Sequence, residues 1–187
     1  MMSWRRALRR AILAGSGALV ATGAQAAPAA QASAPGIASA TVIRPLRVQP
    51  ITDMDFGTIV HEPGLTGTVM VSPGSAGASF TGGASCPGSD CTSAHTAHFA
   101  VSGEPQRNYA IQLPASILAT GSTITAGAIA PSLTVRALTV RAKSSNTTPS
   151  LDASGADSFE VGGTITLPAD LPPARYRASF VVVVSYT

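Results

Sequence analysis

The sequence predicts an all-β sandwich, on three observations. Apolar residues recur at every second position in seven or eight short runs, and Gly and Pro, 18 and 14 of 187 residues, gather between those runs. No stretch beyond the N-terminal region sustains a helical period. The composition agrees: 11% charged residues is too few for a Lys/Glu-rich helical bundle, and 45% hydrophobic residues is too many for a disordered solvating tail.

The elements follow in order. Arg5, Arg6, Arg9 and Arg10 precede an apolar stretch from Ala11 to Gly23, and Ala24-Gln25-Ala26 offers a small-x-small cleavage site. Residues 1–26 therefore read as a helical secretory signal peptide. An uncleaved anchor fits less well, because the apolar run falls short of the roughly 20 residues that cross a bilayer. Arg5-Arg6-Ala7-Leu8 matches a twin-arginine export signal only in part. Residues 27–37, rich in Ala and Pro, read as a flexible leader, and residues 38–187 as a single domain. Cleavage at residue 26 leaves eight basic residues against nine acids, a net charge of −1 in place of +3, and removes the only Trp, Trp4. No phosphate-neutralising face remains, which excludes nucleic-acid binding, and no membrane span follows the signal. Ser and Thr make up 37 of the 161 mature residues, so hydroxyls supply most of the polar surface.

Within the domain a first strand is predicted from Ser39 to Val48. Alternation continues through Met54, Phe56 and Thr58, then Val69 and Val71. A Gly/Ser-rich excursion spans Pro73 to Ser93. Phe99 and Val101, then Tyr109, Ile111 and Leu113, resume the pattern before Pro114 stops it. Leu133-Thr-Val-Arg-Ala137 is repeated at once as Leu138-Thr-Val-Arg-Ala142. A five-residue repeat is odd, so a regular strand would turn Leu138 and Val140 away from the face of Leu133 and Val135. A bulge or a crossing between sheets near Ala137 and Leu138 would restore both sets to the core, whereas a strand buried on both faces would need neither. Phe159, Val161, Gly163, Ile165 and Leu167 share one face, opposite Glu160, Thr164 and Thr166. The last run is Tyr176, Ala178, Phe180, Val182, Val184 and Tyr186. Phe180 to Tyr186 has high β-propensity and neither charge nor Pro, so as an open edge it would pair with other chains.

Residues able to do chemistry are sparse. Cys86 and Cys91 are the only cysteines, and in an exported chain they are expected to form a disulfide, which would stabilise by roughly 2 kcal/mol. A second reading adds His95 and His98 to give the ligand types of a tetrahedral zinc site, at a spacing more compressed than usual. Asp55-Phe56-Gly57 matches the kinase magnesium motif in letters only, since no glycine-rich loop, strand lysine or catalytic loop accompanies it. Asp53 and Asp55 could form a carboxylate pair but read better as turn-capping residues. His61-Glu62 lacks a second ligand set, and three histidines yield no triad. No catalytic or cofactor-binding residue is assigned, and an enzyme is not expected.

Several motifs in order carry a resemblance. Asp53-Met-Asp-Phe-Gly-Thr-Ile59, Val101-Ser-Gly-Glu-Pro105 with Tyr109-Ala-Ile-Gln-Leu-Pro114, Leu151-Asp-Ala-Ser-Gly155, Val161-Gly-Gly-Thr164 and the terminal Tyr-x-x-x-Phe-x-Val-x-Val-x-Tyr run resemble a bacterial domain-of-unknown-function family of short secreted proteins. That family is in turn loosely similar to spore-coat and chaperone-usher pilin domains. The resemblance implies an immunoglobulin-like Greek-key sandwich and an assembly strand carrying Phe180, Val182, Val184 and the penultimate Tyr186. Ala174 stands where such pilins carry a Gly, a departure that bears on chaperone recognition. The expectation is an exported structural or adhesive surface subunit, pilin-like, in the periplasm, at the cell surface or outside the cell. It would assemble with other subunits or a periplasmic chaperone by strand addition. The alternative is a self-contained periplasmic or secreted binding module for a glycan or protein, with no polymerisation. The leader favours that alternative: residues 27–37 are mostly Ala and Pro, and beyond them only Val42, Leu46 and Val48 could serve as donor residues, with Arg44 breaking their parity and Pro45 their ladder.

Overall fold

The computed structural model describes residues 33–88, 92–124 and 127–187; the signal-peptide reading of residues 1–26 lies outside them. The chain divides into two units, Met1–Ala40 and Thr41–Thr187. Residues 33–40 of the first are exposed and carry no regular structure. The second is all-β, a sandwich of antiparallel strands.

Its strands are β1 (Arg47–Thr52), β2 (Val60–His61), β3 (Gly67–Val71), β4 (Ala78–Gly82), β5 (Ala84–Ser85), β6 (Ala97–Ser102), β7 (Tyr109–Gln112), β8 (Ile117–Thr123), β9 (Leu133–Ala142), β10 (Ala156–Leu167), β11 (Ala174–Arg177) and β12 (Val183–Tyr186). The large sheet runs β1-β6-β10-β9-β8-β11, with β3 against β10 and β4 against β3. Two smaller sheets are β12-β7 and β2-β5. The 12-residue β10 organises the whole. One of its edges bonds β9 from Phe159 to Ile165, while the other bonds β6 from Ala156 to Val161 and then β3 from Gly163 to Leu167.

The five-residue repeat does what its parity demands. Arg136 faces Thr164 and Thr139 faces Gly162, so Ala137 and Leu138 together oppose the single Gly163. That is a β-bulge, and Ala137 sits in it at φ 49°. Strand β9 continues through the bulge, and beyond it Leu138 and Val140 join Leu133 and Val135 on the core side. Gly163 provides the room: a Cβ there would lie 2.9 Å from both Leu138 Cδ2 and Val135 Cγ1.

Two apolar clusters result. One gathers Val69, Ile117, Leu133, Val135, Ile165 and Leu167; the other gathers Val101, Tyr109, Leu151, Phe159 and Val161. Met54, Leu138 and Phe180 pack against both. The inward row of β10 is as the alternation predicts, with Phe159, Val161, Gly163, Ile165 and Leu167 all buried.

Several expectations need correction. The first strand lies at Arg47–Thr52, not Ser39–Val48. Pro45 lacks the amide proton a ladder needs, and Val42 is 95% exposed. Met54 and Phe56 pack on the core without a strand of their own, joined to the fold by an isolated bridge from Asp55 to His95. The Gly/Ser-rich excursion contains β4 and β5, and β8 forms where no strand was expected. The terminal run is not one strand: residues 178–182 separate β11 from β12.

Candidate functional site

The expected assembly row lies along the end of the chain. Phe180, Val182, Val184 and Tyr186 point toward the second cluster and stay half-buried, while Val181 and Val183 face outward at 74% and 50% exposure. Phe180 seats its ring edge-on against Phe99, with centroids 6.2 Å apart, and Phe99 stacks on Phe159 at 5.0 Å. Strand β12 bonds β7, with Val184 opposite Ile111 and Tyr186 opposite Tyr109. Its other edge has no strand partner among the described residues.

Tyr186 does more than fill space. Its hydroxyl accepts the Glu104 amide at 2.6 Å and donates to the Arg44 carbonyl at 2.9 Å, and the Glu104 carboxylate accepts the Arg44 amide at 2.9 Å. A three-residue clasp thus ties the approach to β1, the turn after β6 and the last strand to one point. Gly103 is its floor, because a Cβ there would collide with the Tyr186 hydroxyl and stand 2.9 Å from Leu46 Cδ1. Sequence reasoning singled out Tyr186 but neither Arg44 nor Glu104 as its partners. The only local signal was the Ser-Gly-Glu run after β6, which carries no instruction about a residue 82 positions away.

Nearby groups are structural. Tyr109 is buried and donates to Asp157 at 2.9 Å; burial first, then that bond and the adjacent carboxylate charge, push its phenol well above the ordinary value of 10.0. Asp152 takes three donors into one oxygen, from Ser154 N, Ser154 Oγ and Ala156 N. Its pKa falls below the ordinary 3.8, chiefly through the Ser154 side chain and then the Ala156 amide. The Leu151–Gly155 motif is therefore a carboxylate-pinned turn. Asp55 acts in the same way, accepting the Gly57 amide at 2.7 Å, so the Asp-Phe-Gly motif is a turn as well.

The Cys/His group is only partly described. Cys86 follows β5, and Cys91 lies outside the described residues. The His95 ring nitrogen Nδ1 is 2.8 Å from the Ser93 carbonyl, and His98 Nε2 is 3.2 Å from Glu160 Oε1 on the neighbouring strand. Among the described residues no set of three His, Cys, Asp or Glu side chains gathers as metal ligands, and no helix is long and apolar enough to cross a membrane.

No curated protein and no solved structure matches this chain. A family profile described as a domain of unknown function, DUF4402, matches residues 46–186, a span that takes in every strand from β1 to β12. The chain belongs to the DUF4402 family.

Proposed function

We propose that this protein is an exported structural or adhesive surface subunit, pilin-like, that joins other copies by adding a strand beside β12. The observation that supports this reading is the open edge of β12 together with its inward row. Val184 and Tyr186 stay half-buried beside an edge to which no strand of the described chain is bonded, and Phe180 and Val182, in the segment just before β12, continue their row. A strand laid there would satisfy the free amides and carbonyls of Val183 to Tyr186 and dry that row. The resemblance of the terminal run to pilin domains points the same way, and the signal-like N-terminus supports export. Within this reading Cys86 and Cys91 form the disulfide that staples the 86–91 loop, and the protein has no catalytic role.

Size-exclusion chromatography with native mass spectrometry on residues 27–187 tests the proposal. Oligomers are expected, with the β12 amides that do not bond β7 protected from exchange only in the oligomer. A stable monomer whose β12 amides exchange as slowly as those of β10 overturns it. A thiol assay beside metal analysis is expected to find no free thiol and no zinc.

A second reading, a self-contained binding module, has one observation of its own: each of the twelve strands of the described residues is paired within this chain. It predicts a monomer that retains a glycan or peptide ligand and loses it when the 73–93 segment is altered.

A further inference from the structure

The other edge of the large sheet carries a feature that neither reading uses. Strands β8 and β11 pair with Arg175 opposite Ser122 and Arg177 opposite Thr120, and all four side chains are exposed. Alternate residues of a strand share a face about 6.5 to 7 Å apart, and directly opposed residues stand about 5 Å apart. The outer surface is therefore a rectangle with a guanidinium at each corner of one side and a hydroxyl at each corner of the other. It floors a shallow, open groove of about 380 Å³ lined by one large apolar residue, Ile124, with Leu118 exposed two positions before Thr120 on the same face. On the opposite face Tyr176 packs onto Gly121, where a Cβ would come within 2.6 Å of the ring, and this holds β11 flat against β8.

Among the described residues neither arginine is in an ion pair; the one such pair there is His98 with Glu160. Two of the eight basic side chains of a chain whose net charge is −1 after residue 26 thus stand side by side with no carboxylate partner among the described residues. Each guanidinium presents a planar fork that fits a carboxylate or sulfate through two parallel hydrogen bonds, while Ser122 can exchange hydrogen bonds with sugar hydroxyls and Thr120, whose hydroxyl donates to the Arg177 carbonyl at 3.5 Å, can accept from them.

We propose that the β8-β11 face binds an acidic polysaccharide, Arg175 and Arg177 each gripping an anionic group along the polymer. The groove is open and unenclosed, which suits a chain lying across it better than a small molecule, which would need a deep pocket. Its apolar neighbours, Leu118 and Ile124, stand singly at the two ends of the hydroxyl row, 63% and 82% exposed, and form no aromatic anchor. Strand addition is disfavoured at this edge, because β11 follows Pro172-Pro173 and carries the charged Arg175 and Arg177.

The test uses residues 27–187 at low salt on immobilised polygalacturonate, dextran sulfate and neutral dextran. Binding is expected to at least one anionic polymer and not to dextran, and to weaken as salt rises. The carboxylated and sulfated arms identify which anion is preferred. Arg175→Gln and Arg177→Gln should each lose about tenfold in affinity. The double Lys variant, which keeps the charge without the fork, should fall between wild type and the double Gln variant. Arg141→Gln, on another part of the sheet, should bind as wild type does. All of these substitutions are at exposed positions and should leave the melting temperature unchanged. Failure of the wild type to bind either anionic polymer overturns the proposal. So does undiminished binding by the folded double Gln variant, or equal binding to poly-glutamate or single-stranded DNA.

Discussion

Phe159 to Leu167 in β10 and Phe180 to Tyr186 around β12 carry the same alternation of large apolar residues. In the first, Phe159, Val161, Ile165 and Leu167 are buried; in the second, Phe180, Val182, Val184 and Tyr186 keep part of their surface in water. The side chains do not explain the difference. Strand β10 has hydrogen-bonded neighbours along both edges, so the strands beside it wall in each inward residue, whereas among the described residues β12 has one neighbour and an open flank, and Phe180 and Val182 precede it outside any strand. Alternation chooses the face a residue turns to; the number of bonded neighbours decides how dry that face becomes.

The sharpest way to break this comparison is to truncate one residue from each row. Phe159→Ala should cost about 3 to 5 kcal/mol, since a stacked and fully buried ring leaves a cavity. Val184→Ala should cost about 1 kcal/mol or less, because the site is already partly wet. Urea denaturation of both variants checks this, and equal losses would mean that β12 is as enclosed as β10.

Tyr186→Phe comes next. It removes both hydroxyl bonds of the clasp and strands the Glu104 amide, for about 1 to 2 kcal/mol. Amides of β1 should then exchange faster while those of β10 are unchanged; uniform acceleration would show that the clasp holds the whole sandwich and not its margin. The smallest effect is expected at the bulge. Ala137→Gly removes a Cβ from a left-handed residue and should stabilise by up to about 1 kcal/mol, read as a higher melting temperature. A loss instead would show that the alanine methyl contributes more by packing than the conformation costs.

What the sequence made legible follows the same division. The inward rows of β10 and β12 could be read because parity is local. So could the bulge, because an odd repeat within one strand has few ways of keeping four apolar residues on one side. Strand β8 could not be read: Ile117-Leu-Ala-Thr-Gly-Ser-Thr123 has no large alternating residues after Ala119, and its pairing with β9 and β11 is what makes it a strand. Strands β4 and β5 were hidden in the same way by Gly and Ser. The position of β1 was misread because the apolar spacing of Val42, Leu46 and Val48 outweighed Pro45. As for the candidate site, its row of side chains was visible in the sequence but its partners were not. Nothing near Tyr186 specifies Arg44 or Glu104, and nothing in an Arg-x-Arg spacing reveals that Thr120 and Ser122 will stand opposite.

The bond from Tyr186 to the Arg44 carbonyl spans 142 residues and fastens the start and finish of the strand-bearing unit at one corner. The path of the chain is therefore close to a closed circuit. Tension between those two ends meets at the corner instead of passing through the body. The clasp and the margins of β1 and β12 bear it first, and the β9-β10 centre is drawn in only after they give way.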